Sequence, residues 1–368
     1  MFFLSIISET LLYICFALLI ATYIFSLVPN NRKPNLIVPT NVLLFAIAGI
    51  ALSSFMPVLQ LVLYLYEDYG LGSAFESVLL TFKVGNAWVY TFILSIILGL
   101  FITLTDGRKH KAYSLAGLTI VFLLVIGVAL SSHASSISPI AGFAIHMMHF
   151  LAVTVWVGLL FVVSWFSKNT ANWMNFLKWF HVTALSCFIL TIISGLLLMN
   201  VTNEWNSYTD AWMVSYGQSL LIKHLLIIPL IGYALINGIL LKKRLKQQSD
   251  FDPRPWTKIE FLVVLLIFAV TGAMSQQSPP TNLESLISYE GISSLFTLFY
   301  NGPVHPELGV ELMWNGSSIL FGVLAIIFLG ISIASFSEKM SPAFSFIMSL
   351  FVVICGYLAF MQSVQVIN

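Results

Sequence analysis

Ten apolar runs, each long enough to cross a bilayer, leave this chain few ways to fold. They lie at about 3–28, 40–65, 80–104, 112–132, 139–166, 176–200, 217–241, 257–276, 315–335 and 342–362. A helix needs about 20 apolar residues to span the hydrocarbon core. A barrel strand needs only about ten, with alternating polarity, and these runs do not alternate. Lipid offers no hydrogen-bond partners, so each run must pair its own backbone groups as a helix. Composition agrees: 59% of residues are hydrophobic and 8% charged, whereas a soluble domain is about a quarter charged. The expected fold is an all-α polytopic membrane protein, a helical bundle of about ten transmembrane helices. The expected division is an eight-helix core over 1–280, an outer loop over 281–314 and two additional helices over 315–368. The N-terminal run lacks a basic leader and a small-residue cleavage site, which predicts a retained first helix.

Loop charge sets the orientation. Arg32 and Lys33 follow span one, Arg108, Lys109 and Lys111 follow span three, and Lys168 and Lys178 flank the gap after span five. Lys242, Lys243, Arg244, Lys246, Arg254 and Lys258 follow span seven. The alternate loops carry Glu67, Asp68 and Glu76, then no charge, then Glu204 and Asp210, then Glu284, Glu290 and Glu307. Basic loops stay in the cytoplasm, so both termini face outward.

Several classes drop out. The net charge is +1 and no basic patch is large enough for nucleic acid. Cys15, Cys187 and Cys355 all sit inside apolar runs without a CxxC pair, which predicts buried thiols and no thiolate metal site. No nucleotide-binding or phosphorylation motif is visible, so the chain reads as not an enzyme, and any transport would be channel-like or gradient-driven.

The chemistry concentrates in 131–158, SSHASSISPIAGFAIHMMHFLAVTVWVG. Ionisable groups inside a bilayer are costly and mark function by default. His146 and His149 are three residues apart and share a helix face about 10 and 15 Å in from the outer end of span five. His133 closes span four and can fold back over them. His224 lies about 10 Å into span seven, level with His146, so the four histidines can converge in the outer half of the bundle. Imidazole suits copper, zinc, iron and nickel, and thioether favours Cu(I); Met147 and Met148 accompany the pair. No carboxylate is expected within the helices beside it, which disfavours calcium and magnesium. A lone membrane histidine is as readily interhelical hydrogen-bond glue, and methionine in an apolar helix is usually packing. His181, at the inner end of span six, reads as a snorkelling interfacial group. His110 and His305 read as solvated loop residues, and Asn86, Gln60 and Asn237 as interhelical hydrogen bonds.

An ordered set of these elements resembles the copper resistance D (CopD) membrane domain. Ser132-His133-Ala134 is similar to its Gly-His-Ala element. His149 is followed seven residues on by Trp156, then Gly158, as in that family. Phe180 to Gly195 resembles its helix ending in Thr-Gly, Tyr216 to Lys223 its Tyr-Gly-x-x-Leu-Leu-x-Lys entry, and Ser278-Pro279-Pro280 its terminal Pro-Pro. Ser132 replaces the usual glycine, and Ile193-Ser194 the usual threonine. The likeness runs over about 112–280, more weakly over spans one to three, and does not reach 281–368. It implies copper handling, Cu(I) or Cu(II), at the plasma membrane, often as uptake, and in some members an extracytoplasmic copper-binding protein as partner.

The leading expectation is thus copper uptake through an outer-half site of His133, His146, His149 and His224 with Met147 and Met148. Neutral imidazole binds metal, so affinity should fall as pH drops through about 6.5. Two alternatives stand. One is a haem b-binding membrane oxidoreductase with His149 and His224 as axial ligands. The other is an assembly factor that delivers copper without moving it across the membrane.

Overall fold

The computed structural model describes residues 1–105, 110–202, 208–248, 250–303, 305 and 308–367. It is helical almost throughout, and ten helical segments are long and apolar enough to cross a membrane. Their bounds follow the apolar runs within a few residues. The chain divides into two compact units, Met1–Val201 and Thr202–Asn368.

The first unit holds α1 (Phe2–Leu27), α2 (Thr40–Ser53), α3 (Met56–Tyr69), α4 (Leu71–Thr81), α5 (Lys83–Leu104), α6 (Lys111–Leu130), α7 (His133–Ile137), α8 (Ala141–Phe166) and α9 (Trp173–Thr202, which overruns the unit by one residue). Span two is broken in the middle, where Pro57 opens α3. The break has a cause, because proline lacks the N–H that would continue the ladder of α2. Beyond it the chain departs from expectation. Glu67, Asp68 and Glu76 lie not in an open loop but on α3 and α4, which fold against each other through Val58, Val62, Ala74 and Val78. Gly70, with φ of 76°, makes the reversal, a conformation that a side chain would oppose.

The centre of this unit is α8 on α1. The two run parallel: Tyr13 and Phe16 meet Phe150 at 4.9 and 5.2 Å, and further along, Gly158 lies against the Ala17 carbonyl. A Cβ on Gly158 would stand 2.1 Å from that oxygen. Helices in lipid associate through such close backbone approach, since lipid tails are as apolar as leucine. The Trp156–Gly158 element of the sequence is therefore a helix-packing element, with Trp156 edge-on to Phe188 of α9 at 5.7 Å.

One end of the unit ties two basic loops together. Asn172 and Asn175 donate to the carbonyls of Asn30 and Asn31, Trp179 donates to Arg32, and Lys168 N–H donates to Asn35. Loop charge puts both loops in the cytoplasm, and they do share one end. Lys33 donates to the Phe25 carbonyl at the end of α1, and partial burial lowers its pKa. Arg108, Lys109, Glu204 and Glu307, also used in the charge argument, lie outside the described residues.

The second unit holds α10 (Ser215–Leu235), a π-helical turn (Ile236–Leu240), α11 (Leu241–Gln247), α12 (Arg254–Met274), α13 (Leu283–Glu290), β1 (Gly309–Leu312), α14 (Gly316–Ser337), α15 (Pro342–Ser363) and β2 (Val364–Ile367). α10 packs on α12, α14 and α15, and α14 lies along α15. Ser332 and Ser345 bond to each other across that pair, and Tyr233 of α10 joins Ser345 at 3.0 Å. At the basic end Arg244 donates to the Phe336 carbonyl and sits 4.2 Å over the Phe251 ring.

The segment after α12 is more ordered than an outer loop. Ile287 and Phe296 are buried with Trp212, Met213 and Leu221. β1 pairs antiparallel with β2, and Val310 N–H donates to Asp210 at 2.6 Å. This two-stranded ribbon is the one sheet in an otherwise helical chain among the described residues.

Candidate functional site

α8 carries the histidine pair. His146, Met147, Met148 and His149 are all partly buried, in its second and third turns. The His146 ring stacks over Phe150, with centroids 6.3 Å apart and 27° between planes. His149 lies on the α9 side, above Val153 and Trp156, which are both buried. Its Nδ1 is 3.0 Å from Ser194 Oγ of α9. The hydroxyl of Ser194 is fully buried and donates to the Leu190 carbonyl at 2.5 Å. A serine has one proton to give. With that proton directed to Leu190, the geometry favours a bond from His149 Nδ1–H to Ser194 Oγ, the tautomer with its lone pair on Nε2. Metal-binding histidines are commonly set this way, with the far ring N–H donated to a fixed acceptor. Gly195 lies beside the same ring, where a Cβ would stand in ordinary contact 3.5 Å away. The replacement of threonine by Ser194 thus retains a hydroxyl at a position that holds the ring.

His133 is exposed at the start of α7. That short helix folds back on the first turns of α8, where a Cβ on Gly142 would stand 1.9 Å from the Ala134 carbonyl. His224 belongs to the second unit. Its Nδ1 is 2.6 Å from the Tyr208 hydroxyl. Burial pushes the Tyr208 phenol up to about 12, so it keeps its proton. A phenol O–H is a better donor to an imidazole nitrogen than the reverse. This favours acceptance at His224 Nδ1, with the ring proton on Nε2. The two surroundings thus favour opposite tautomers of the two imidazoles.

No three His, Cys, Asp or Glu side chains are gathered closely enough to hold a metal among the described residues. Within the first unit, His146 and His149 share α8 and α7 brings His133 to its entry end. His181, His110 and His305 are exposed, as expected of interfacial and loop residues. Cys15, Cys187 and Cys355 are buried free thiols. Gln60 and Asn237 bond across helices, to Ser5 and to Glu260, whereas Asn86 is exposed on α5.

One expectation is corrected. A carboxylate does lie inside a helix that packs on α8: Glu9 of α1. α1 and α8 run parallel with Tyr13 against Phe150, so Glu9, one turn before Tyr13, stands level with His146, one turn before Phe150. A single acid in an apolar run was the available signal.

Comparisons with known proteins agree with the residue-level likeness. Residues 174–274 match the family model of copper resistance protein D (CopD). The histidine pair lies upstream of that stretch, whereas Ser194 and His224 lie within it. The chain is also similar to the inner membrane protein YebZ of Escherichia coli (strain K12), with 22% identity over 210 residues, covering 54% of this chain and 69% of that protein. No solved structure matches. Over residues 174–274 the chain is therefore similar to copper resistance protein D.

Proposed function

We infer that this protein takes up copper across the plasma membrane, with capture in the outer part of α8. The observation that carries this reading is the 3.0 Å contact of His149 Nδ1 with the buried Ser194 hydroxyl, which suits a membrane-embedded imidazole with its lone pair on Nε2. His149 is the principal ligand, His146 stands one turn outward, and exposed His133 is the entry ligand. Met147 and Met148 supply the thioether donors that favour Cu(I). His224 is proposed as a further copper-contacting imidazole on the second unit. The plasma-membrane assignment rests on the ten apolar helices and on the likeness to an inner membrane protein. Release needs sites of moderate strength, and a few imidazoles suit that better than a closed thiolate cage. An extracytoplasmic copper-binding protein is the proposed donor.

Elemental analysis and an absorption spectrum of the purified protein test the reading. Stoichiometric copper without a Soret band, lost in His149→Ala and kept in His110→Ala, is expected. Equal loss in both variants would remove the outer site. A Soret band with iron would replace copper by haem b.

A further inference from the structure

The basic, cytoplasmic end of the second unit holds a buried polar pair that copper capture does not use. Glu260 of α12 is 3% exposed and Asn237 of the π-helical turn is 4% exposed. Asn237 Nδ2 donates to Glu260 Oε2 at 2.7 Å and to the Trp256 carbonyl at 3.3 Å. Asn237 Oδ1 is buried with no hydrogen-bond partner. Glu260 lies six residues after Arg254 and Asn237 five before Lys242, so both stand about 8–9 Å in from the basic end. We propose that Glu260 and Asn237 form a proton-exchange site that opens to the cytoplasmic side.

Four observations carry this. First, a carboxyl group within a membrane span is costly to ionise and marks a functional site by default. Second, no basic side chain pairs with it among the described residues. Arg254 is held by Asp252 at 2.8 Å and Arg244 by the Phe336 carbonyl. Lys258 precedes it on its own helix, Lys242 and Lys243 lie at the far end of the π turn, and Tyr233 of α10 is taken by Ser345. On α15 the titratable groups are Cys355 and Tyr357, toward the outer end. Third, Asn237 sits on a π turn, where the regular ladder is broken; such turns recur at functional sites.

The fourth observation is the chemistry of the donor set. It offers one carboxylate and one amide oxygen. A metal ion of hard character needs about six oxygens, whereas a proton needs one acceptor. The N–H of Asn237 supports the carboxylate form. When Glu260 takes a proton, rotation of the amide brings Oδ1, which has no donor now, onto the new O–H. The amide can therefore serve both states of the carboxyl group.

Infrared difference spectra of the full-length protein in lipid nanodiscs, recorded as pH is stepped, test this without copper. A protonated-carboxyl C=O band that grows on acidification and is missing in Glu260→Gln is expected. Identical pH difference spectra for the wild type and a folded Glu260→Gln would overturn the proposal. Should that variant fail to fold, Asn237→Ala carries the test. Loss of the N–H donor should move the midpoint of the band upward by about one pH unit, the tenfold weight of a hydrogen bond to a charged group. An unmoved midpoint would overturn it. Neither readout involves His149, so this site and the copper site fail independently.

Discussion

In sequence, His149 of the first unit and His224 of the second unit are alike, each an imidazole some turns into an apolar helix. Their surroundings treat them differently. His149 faces a serine whose hydroxyl also reaches a carbonyl of its own helix, which favours donation from the ring Nδ1. His224 faces a tyrosine whose proton burial protects, so the ring accepts at Nδ1. The first arrangement leaves the lone pair on Nε2; the other fills the Nδ1 lone pair and puts a proton on Nε2. Depth in the membrane does not make a histidine a ligand. The partner of its other nitrogen decides which atom can bind.

The sharpest break of this comparison is to remove each ring. His149→Ala should cost copper affinity more than the ~10–100-fold that a supporting residue is worth, measured by competition with a copper chelator. His224→Ala should cost much less, because its Nε2 must first lose a proton. Equal losses would mean that the hydrogen-bond wiring does not select the ligand. A larger loss at His224 would reverse the assignment.

Next in size is the support itself. Ser194→Ala removes the acceptor that holds Nδ1–H, and copper affinity should fall by about 10–100-fold. Ser194→Thr keeps the hydroxyl and should restore it. If alanine and threonine behave alike, the serine acts by volume and not by its oxygen. Nitrogen-15 NMR of labelled imidazole gives a readout that packing alone would not move: the Nδ1–H form should dominate at His149 in the wild type and lose that bias in Ser194→Ala.

How much of this was legible follows from range and length. The ten spans were legible because about 20 apolar residues have one use in a membrane. α4 was not, since Leu71–Thr81 is apolar but too short to cross. The β1–β2 ribbon joins residues 309–312 to 364–367, a pairing that no local pattern announces. His146 and His149 were legible as ionisable groups on one face. Their wiring was not: Ser194 lies 45 positions from His149, and in sequence it is a departure from a threonine. Glu9 and Glu260 were readable as single acids in apolar runs, but the loops drew attention to charge elsewhere. The π turn at Ile236–Leu240 carries Asn237 and Gly238, but a glycine within an apolar run does not by itself specify a π turn.

The smallest expected effect sharpens the His224 side. Tyr208→Phe removes one oxygen and keeps the ring that packs on Trp212 at 5.8 Å. His224 Nδ1 then loses its donor, and the preference for a proton on Nε2 should weaken. The nitrogen-15 spectrum of His224 should shift toward a tautomer mixture while that of His149 stays fixed. Copper affinity should rise slightly or hold, since the change only lowers the cost of freeing Nε2. A fall in affinity would mean that the Tyr208–His224 pair supports binding as it stands, with the phenol and not the imidazole in contact with the ion. Ultraviolet titration of the same variant closes the argument. The phenol lost from the wild-type curve should be one that ionises only near pH 12. If the missing group instead titrates near the ordinary tyrosine value of about 10, burial does not hold the Tyr208 proton, and the contrast between the two histidines loses its cause.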